Sequence, residues 1–192
     1  MSRPFDRATG DAVGEAVQAL RRVQDLMTAS RPDPATSAAV TGRLAEIASL
    51  LAPFACEEES AIAGRLHPVP GRGHPFLPEL AVDAWDADRL TGRVVLTSTY
   101  LGTRGAHGGT LPLLFDEAFG MLANTGDRAY ARTAFLHVDY RAVTPLDREL
   151  TVEARFDREE GRKRFLTGRL LDGDVLLADA SALFVVLREG QR

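Results

Sequence analysis

A single cysteine, Cys56, stands in 192 residues, so no disulfide can close within the chain. Such usage makes a reducing compartment, the cytoplasm, the default expectation. No run of about eighteen apolar residues occurs, which argues against a membrane-spanning helix. The opening MSRPFDRATGDAV lacks the apolar core of a secretory leader. Basic charge is scarce too: 23 Lys and Arg stand against 27 Asp and Glu, a net charge of −4. That balance speaks against a nucleic-acid binder, which normally carries a basic stripe. The four histidines, at 67, 74, 107 and 137, show neither HxH nor HExxH spacing, so no metal site is expected. No serine sits in a nucleophile elbow, and the glycines of GTRGAHGG lack the Gly-Lys-Ser/Thr ending of a phosphate loop.

What is present begins with two helical patterns. Val13, Ala16, Val17, Leu20, Val23 and Met27 recur at three- and four-residue steps, one face of an amphipathic helix. Asp33-Pro34 supplies an N-cap and a first-turn proline. Behind it Val40, Leu44, Ile47, Ala48 and Leu51 form a second apolar face. Neither helix carries a chemical cluster, so both read as scaffold. From Cys56 to Glu79 the proline- and glycine-rich HPVPGRGHPFLPEL predicts a long irregular connection. The chain then divides into a helical extension, 1–62, and a second domain, 63–192.

That second part is mostly β. Strands are predicted at Leu80–Trp85, Arg89–Tyr100, Thr133–Ala142, Glu149–Phe156, Arg162–Leu171 and Val175–Leu187. Glu160-Gly161 and Asp172-Gly173 mark tight turns, and strands joined by short turns pair antiparallel. One helix interrupts them, around 109–124. The expected class is therefore α+β, with that helix packed on a sheet of about six strands. Phe76, Leu77 and Trp85 read as ordinary core, with the lining of an apolar pocket as the alternative.

The interrupting helix carries the chemistry. In AHGGTLPLLFDEAFG, residues 106–120, Leu111, Leu114, Phe115, Ala118 and Leu122 share one face, and Phe119 and Met121 widen it. Asp116 and Glu117 fall outside that arc, on opposite sides. Periodicity alone leaves them solvated. Leu113 and Gly120, however, share the side away from the sheet, as expected if another surface covers it. Paired glycines at a helix start also leave backbone N–H groups bare, ready for an anionic oxygen. A carboxylate further along then suits base or nucleophile chemistry on a carbonyl.

HGGTLPLLFDEAFG resembles the signature of hotdog-fold acyl-CoA thioesterases, in particular the branch related to phenylacetate-pathway thioesterases. The shared pattern is His-Gly-Gly, six residues, then an acid. TAFLHVDYRAVTPLDRELTVEARFDREEGRKRFLTGRLLDGDVLLADASALFVV is similar to that family's four-strand run. The resemblance covers roughly residues 79–188 and leaves 1–60 outside it. It implies a long central helix wrapped by a curved antiparallel sheet, sites at a homodimer interface, and dimers of dimers as a common further assembly.

The resemblance also implies the roles. The acid nine positions after His107 is Asp116, with Glu117 as second candidate. The oxyanion donor corresponds to the Gly109 N–H, with His107 and Gly108 shaping the turn. Thr133, contributed by another subunit in some members, holds the attacking water. Where some members carry an asparagine six residues before the histidine, this chain has Leu101. His137 shares a predicted strand face with Thr133 and is a candidate neighbour of the site, or a cross-strand polar contact. Arg141 and the basic turn with Arg162 and Lys163 are candidates for the phosphates of a nucleotide carrier. The implied reaction is hydrolysis of an acyl-CoA to free CoA and a carboxylic acid, without cofactor, metal, nucleic acid or membrane. Two alternatives stay open: a non-catalytic acyl-CoA binding module, and a hotdog hydratase or dehydratase.

Overall fold

The computed structural model describes residues 7–66, 69–188 and 190. Two compact units divide the chain, Met1–Pro75 and Phe76–Arg192. The change of unit thus falls thirteen residues beyond the 62/63 position read from composition. The reason is local: the irregular stretch before Pro75 packs on the first helix, where a Cβ on Gly14 would stand 3.3 Å from the Val69 methyls. The Arg21 guanidinium also donates to the His74 carbonyl at 2.8 Å.

In the first unit α1 spans Arg7–Ala29 and α2 spans Pro34–Leu51. The predicted cap is in place: Asp33 accepts the Thr36 N–H at 2.7 Å, with Pro34 opening the helix. Among the described residues no helix is long and apolar enough to cross a membrane.

The second unit is the predicted α+β arrangement. Strands β1 (Ala81–Trp85), β2 (Arg89–Val95), β3 (Ala131–Tyr140), β4 (Glu149–Glu160), β5 (Lys163–Asp172) and β6 (Val175–Val186) form one curved antiparallel sheet. Their order is β1-β2-β4-β5-β6-β3, which leaves β3 at an edge. Helix α3, Thr110–Ala123, lies on one face. Its Leu111, Leu114, Phe115, Ala118, Phe119 and Leu122 are buried, as the helical wheel requires. They meet Leu90, Val94, Leu150, Val152, Leu166 and Leu170 from the sheet. Each fully buried side chain of this kind contributes about 1.5–3 kcal/mol. Close approach is set by Gly168 on β5: a Cβ there would stand 2.8 Å from Phe119.

Two expectations need correction. The strand predicted over Arg89–Tyr100 stops at Val95, because its ladder partner β4 begins at Glu149 opposite it. Ser98–Tyr100 then forms a 3-10 turn, and the buried Tyr100 donates its hydroxyl to the Phe76 carbonyl at 3.2 Å. Phe76 and Trp85 are exposed rather than core, and the Trp85 indole N–H donates to Thr125 Oγ1 at 2.7 Å.

Asn124 and Arg164 fix the far end of α3. Asn124 exchanges both polar atoms with the Ala131 backbone, tying the helix end to the first residue of β3. Arg164, 3% exposed, donates to the carbonyls of Ala123 and Ala129. The Ala123 carbonyl is an orphan acceptor of the helix terminus, where a guanidinium suits the local dipole, and the Ala129 carbonyl belongs to the loop that follows.

Candidate functional site

The approach to α3 is pinned from both sides. Gly102 N–H donates to Gly105 O at 2.7 Å, and Ala106 N–H donates to Thr144 O at 2.8 Å. Gly105 permits that approach, since a Cβ there would stand 2.4 Å from the Thr144 oxygen. His107 N–H then bonds Tyr100 O at 2.7 Å, and Thr110 N–H bonds His107 O at 2.9 Å. The result is an exposed turn, His107-Gly108-Gly109, held rigidly at the head of a buried helix.

The Gly109 N–H donates to His107 Nδ1 at 3.0 Å. His107 therefore caps the turn, and in this arrangement its ring proton resides on Nε2. A carbonyl oxygen arriving at Gly109 must replace or share that imidazole. Tyr140 completes the turn from β3, donating its hydroxyl to Gly108 O at 2.8 Å. Sequence reasoning missed this residue; a tyrosine at the end of an alternating strand gives no signal that it will reach a glycine turn.

Asp116 lies two helical turns further on, half-buried. Thr133 Oγ1 donates to its Oδ1 at 2.6 Å. This contact lies within one chain, so Thr133 accompanies Asp116 wherever that acid acts. Glu117 is also half-buried, on the other flank of the helix.

The Thr133 contact depends on a break in β3. Thr133 pairs with Phe184, and Phe135 with Leu183, with the register shifting between them. This β-bulge at Ala134 turns Thr133 toward the helix, while the residues beyond it resume normal alternation. His137 pairs with Ser181 and so faces the opposite side of the sheet from Thr133. The predicted shared face is therefore absent.

His137 instead lines a groove of about 460 Å³ on the outer sheet surface, with Asp139, Arg155, Arg169, Asp179 and Ser181. Its Nε2 lies 3.2 Å from Asp139. Arg141, proposed for phosphate, is forked onto Asp179, with Nε to Oδ1 at 2.5 Å and Nη2 to Oδ2 at 3.2 Å. That hydrogen-bonded fork holds the Asp179 carboxyl below its ordinary value, against a desolvation cost and with help from the charges of Arg141, Arg169 and His137. Arg162 donates to Val186 O at 2.9 Å, and Lys163 opens β5 exposed. Among the described residues, no hydrogen bond joins His137, Arg141, Arg162 or Lys163 to Asp116, Thr133 or the glycine turn. The structure thus brings together His107, Gly108 and Gly109 in one cluster and Asp116 with Thr133 in another.

The separation between those clusters matters. Seven residues at a rise of ~1.5 Å put Asp116 about 10 Å along the helix from Gly109. The N–H groups of a helix's first turn also point out of its N-terminus, away from Asp116. A carbonyl oxygen must sit ~3 Å from its donor and the carbonyl carbon ~3–3.5 Å from its attacker. One helix cannot meet both conditions on one carbonyl.

Residues 105–178 match the family model described as the thioesterase superfamily. A crystal structure of a thioesterase superfamily protein is 27% identical, with 96% of this chain and 94% of that chain covered at a TM-score of 0.78. The Escherichia coli PaaI protein from the phenylacetic acid degradation operon is 16% identical, with coverages of 57% and 80% and a TM-score of 0.53. A Streptococcus mutans protein bound to acetyl CoA gives 17%, 56%, 88% and 0.53 in the same order. The Phe76–Arg192 unit thus has the hotdog fold of these structures, and residues 105–178 within it are similar to the thioesterase superfamily.

Proposed function

We propose that this chain hydrolyses acyl-CoA thioesters in a site assembled from two copies. The observation that carries the reading is the Thr133–Asp116 hydrogen bond, on a helix whose head is an exposed glycine turn. Because one helix cannot apply both ends to one carbonyl, the two clusters must come from different chains. Two α3 helices lying antiparallel across a two-fold axis would set the Gly109 of each against the Asp116 of the other. The unpaired edge of β3, which exposes Phe135 and Tyr140, supplies a surface on which such a pair can form.

In this reaction the thioester oxygen takes the Gly109 N–H of one copy, displacing His107 Nδ1. Asp116 of the second copy, held by Thr133, takes a proton from water as the water attacks the carbonyl carbon. The tetrahedral oxyanion is stabilised at the helix start, where backbone donors and the helix dipole coincide. Collapse expels the CoA sulfur, which takes back the proton held on Asp116, and leaves CoA thiol and a carboxylic acid. The acyl-CoA class is supported by the superfamily match and by the S. mutans relative's acetyl CoA.

The test is thiol release from short, medium, long and aromatic acyl-CoAs by wild type beside Asp116→Asn. A fall of about 10²-fold or more in turnover is the scale for a lost general base. Activity that survives in Asp116→Asn but dies in Glu117→Gln moves the role to the neighbouring acid. Acyl-CoA binding with no thiol release from wild type would make the domain a receptor instead.

A further inference from the structure

We propose that Tyr140 is a positioning residue for the oxyanion donor, its hydroxyl aiming and strengthening the Gly109 N–H through the peptide group between Gly108 and Gly109. The proposal rests on the reading that a thioester oxygen takes that N–H. Every contact it uses lies within one chain and within the Phe76–Arg192 unit, so it holds whichever copy supplies the acid.

The Tyr140 hydroxyl donates to Gly108 O at 2.8 Å. That oxygen and the Gly109 N–H are the two polar ends of one planar, trans peptide group, and they point in opposite directions. An oxygen held on one side therefore sets the line along which the N–H is presented on the other. The hold matters because both flanking residues are glycines. Without a Cβ on either side the peptide between them rotates easily, and rotation would take the donor off its target.

The other restraints on this peptide are weak or temporary. Leu111 N–H reaches Gly108 O only at 3.4 Å, at the long end of hydrogen-bond range. His107 Nδ1 holds the N–H end at 3.0 Å, but it is the group that the thioester oxygen displaces. Once it leaves, the Tyr140 bond is the short contact that remains. The phenol itself is well anchored. Tyr140 closes β3 opposite Ala178 of β6, and the N–H groups of Arg141 and Ala142 both donate to Leu177 O, at 2.9 and 3.1 Å. Its ring lies against the turn, where a Cβ on Gly108 would stand 3.7 Å from Tyr140 Cε1.

The second effect is electronic. A hydrogen bond accepted by an amide oxygen polarises the group and makes its N–H a better donor, so linked bonds strengthen one another. The thioester oxygen gains charge as the carbonyl carbon becomes tetrahedral. A stronger donor therefore helps the transition state more than the bound substrate. Tyr140 acts on kcat more than on KM.

The experiment uses the full chain and Tyr140→Phe, which removes the hydroxyl and keeps the ring. The variant is expected to keep its melting temperature and its KM for acyl-CoA while kcat for thiol release falls about three- to tenfold. Two inert ligands isolate the donor. A trifluoromethyl ketone thioether of CoA adds water to form a tetrahedral oxyanion, whereas an alkyl-CoA of equal length has no such oxygen. The ketone is expected to lose affinity by the same factor as kcat, and the alkyl-CoA to bind unchanged. Full kcat and full ketone affinity in Tyr140→Phe overturn the proposal. So does equal weakening of both ligands with a lower melting temperature, which would make the phenol a support for the fold alone. If Tyr140→Phe does not fold, 3-fluorotyrosine at this position decides, since its more acidic hydroxyl is a stronger donor. At mildly acidic pH it is expected to match or exceed wild-type kcat, and a lower kcat overturns the proposal. Hydrolysis by wild type with an unaffected Tyr140→Phe sinks the role of Tyr140 alone. Wild type that releases no thiol sinks the hydrolase, and the two affinities then judge Tyr140. Wild type with neither thiol release nor preference for the ketone removes the oxyanion donor and both readings with it.

Discussion

The Thr133 hydroxyl donates to Asp116 Oδ1 at 2.6 Å from a strand that bulges one residue later. Without the extra residue, the alternation that sends Phe135 and His137 outward would send Thr133 outward with them. The bulge is therefore what joins strand to acid. A hydrogen bond to a charged group is worth ~1.5–3 kcal/mol. Thr133→Val is accordingly expected to lower kcat for thiol release by about 10- to 100-fold. Thr133→Ser, which keeps the donor, is expected to stay near wild type. Equal rates for the valine and serine variants would detach the hydroxyl from the chemistry.

Gly105 tests the rigidity of the glycine turn. A methyl at this position would stand 2.4 Å from Thr144 O and 2.8 Å from Val143 Cγ1. The first obstacle is backbone, so the loop must move, and it carries His107 through Gly109 with it. Misplacement of a donor by an ångström costs roughly 10²-fold. Gly105→Ala is expected to lose about that much in kcat/KM while keeping the circular dichroism of the folded domain. Full activity in a folded Gly105→Ala protein would show that the turn tolerates movement.

Arg164 makes a stability prediction. Its guanidinium is buried and serves Ala123 O, Ala129 O and Glu159 at once. Arg164→Met fills similar space but leaves two carbonyls without donors and a carboxylate without its pair. Each abandoned group costs about 1–3 kcal/mol, so a loss of roughly 2–5 kcal/mol is expected in urea denaturation. A loss below about 0.5 kcal/mol, the usual range for surface substitutions, would mean that water replaces the arginine freely.

The helix was legible because periodicity is a local signal. Leu111, Leu114, Phe115, Ala118 and Leu122 announce the buried face of α3 by spacing alone, whereas Asp116 was singled out over Glu117 only by the resemblance. The hairpins were legible for the same reason, since Gly161 and Gly173 sit at positive φ in their turns. What escaped depends on pairing between distant segments. The bulge at Ala134 exists only in the ladder with β6, so alternation on β3 put His137 beside Thr133 when they lie on opposite faces. Arg141 and the basic turn looked available for phosphate because a sequence shows charges without their partners. Asp179 and Val186 lie 38 and 24 residues further on.

Arg141 and Asp179 give the last prediction, which concerns both pH and substrate. Folding lowers the Asp179 pKa below its ordinary 3.8, so the folded state binds this proton less tightly than the unfolded chain. The stability it contributes is present in full above 3.8 and is lost as pH falls through the lower, folded value. Asp179→Asn is therefore expected to flatten the acid limb of stability below pH 3.8, read by thermal melts across that range. At neutral pH the cost is expected to stay under about 1 kcal/mol, because both side chains are partly exposed. The same substitution removes one of the two carboxylates that hold the Arg141 guanidinium, leaving Asp139 at 3.3 Å. If Arg141 belonged to a phosphate site, this loosening would strengthen acyl-CoA binding and lower KM. Its place in the outer face's ion-pair network, beside Asp139 and away from Asp116, leads to the opposite expectation: KM unchanged while the acid limb flattens. A several-fold fall in KM would return Arg141 to the carrier's phosphates and require the outer groove to open toward the reacting thioester.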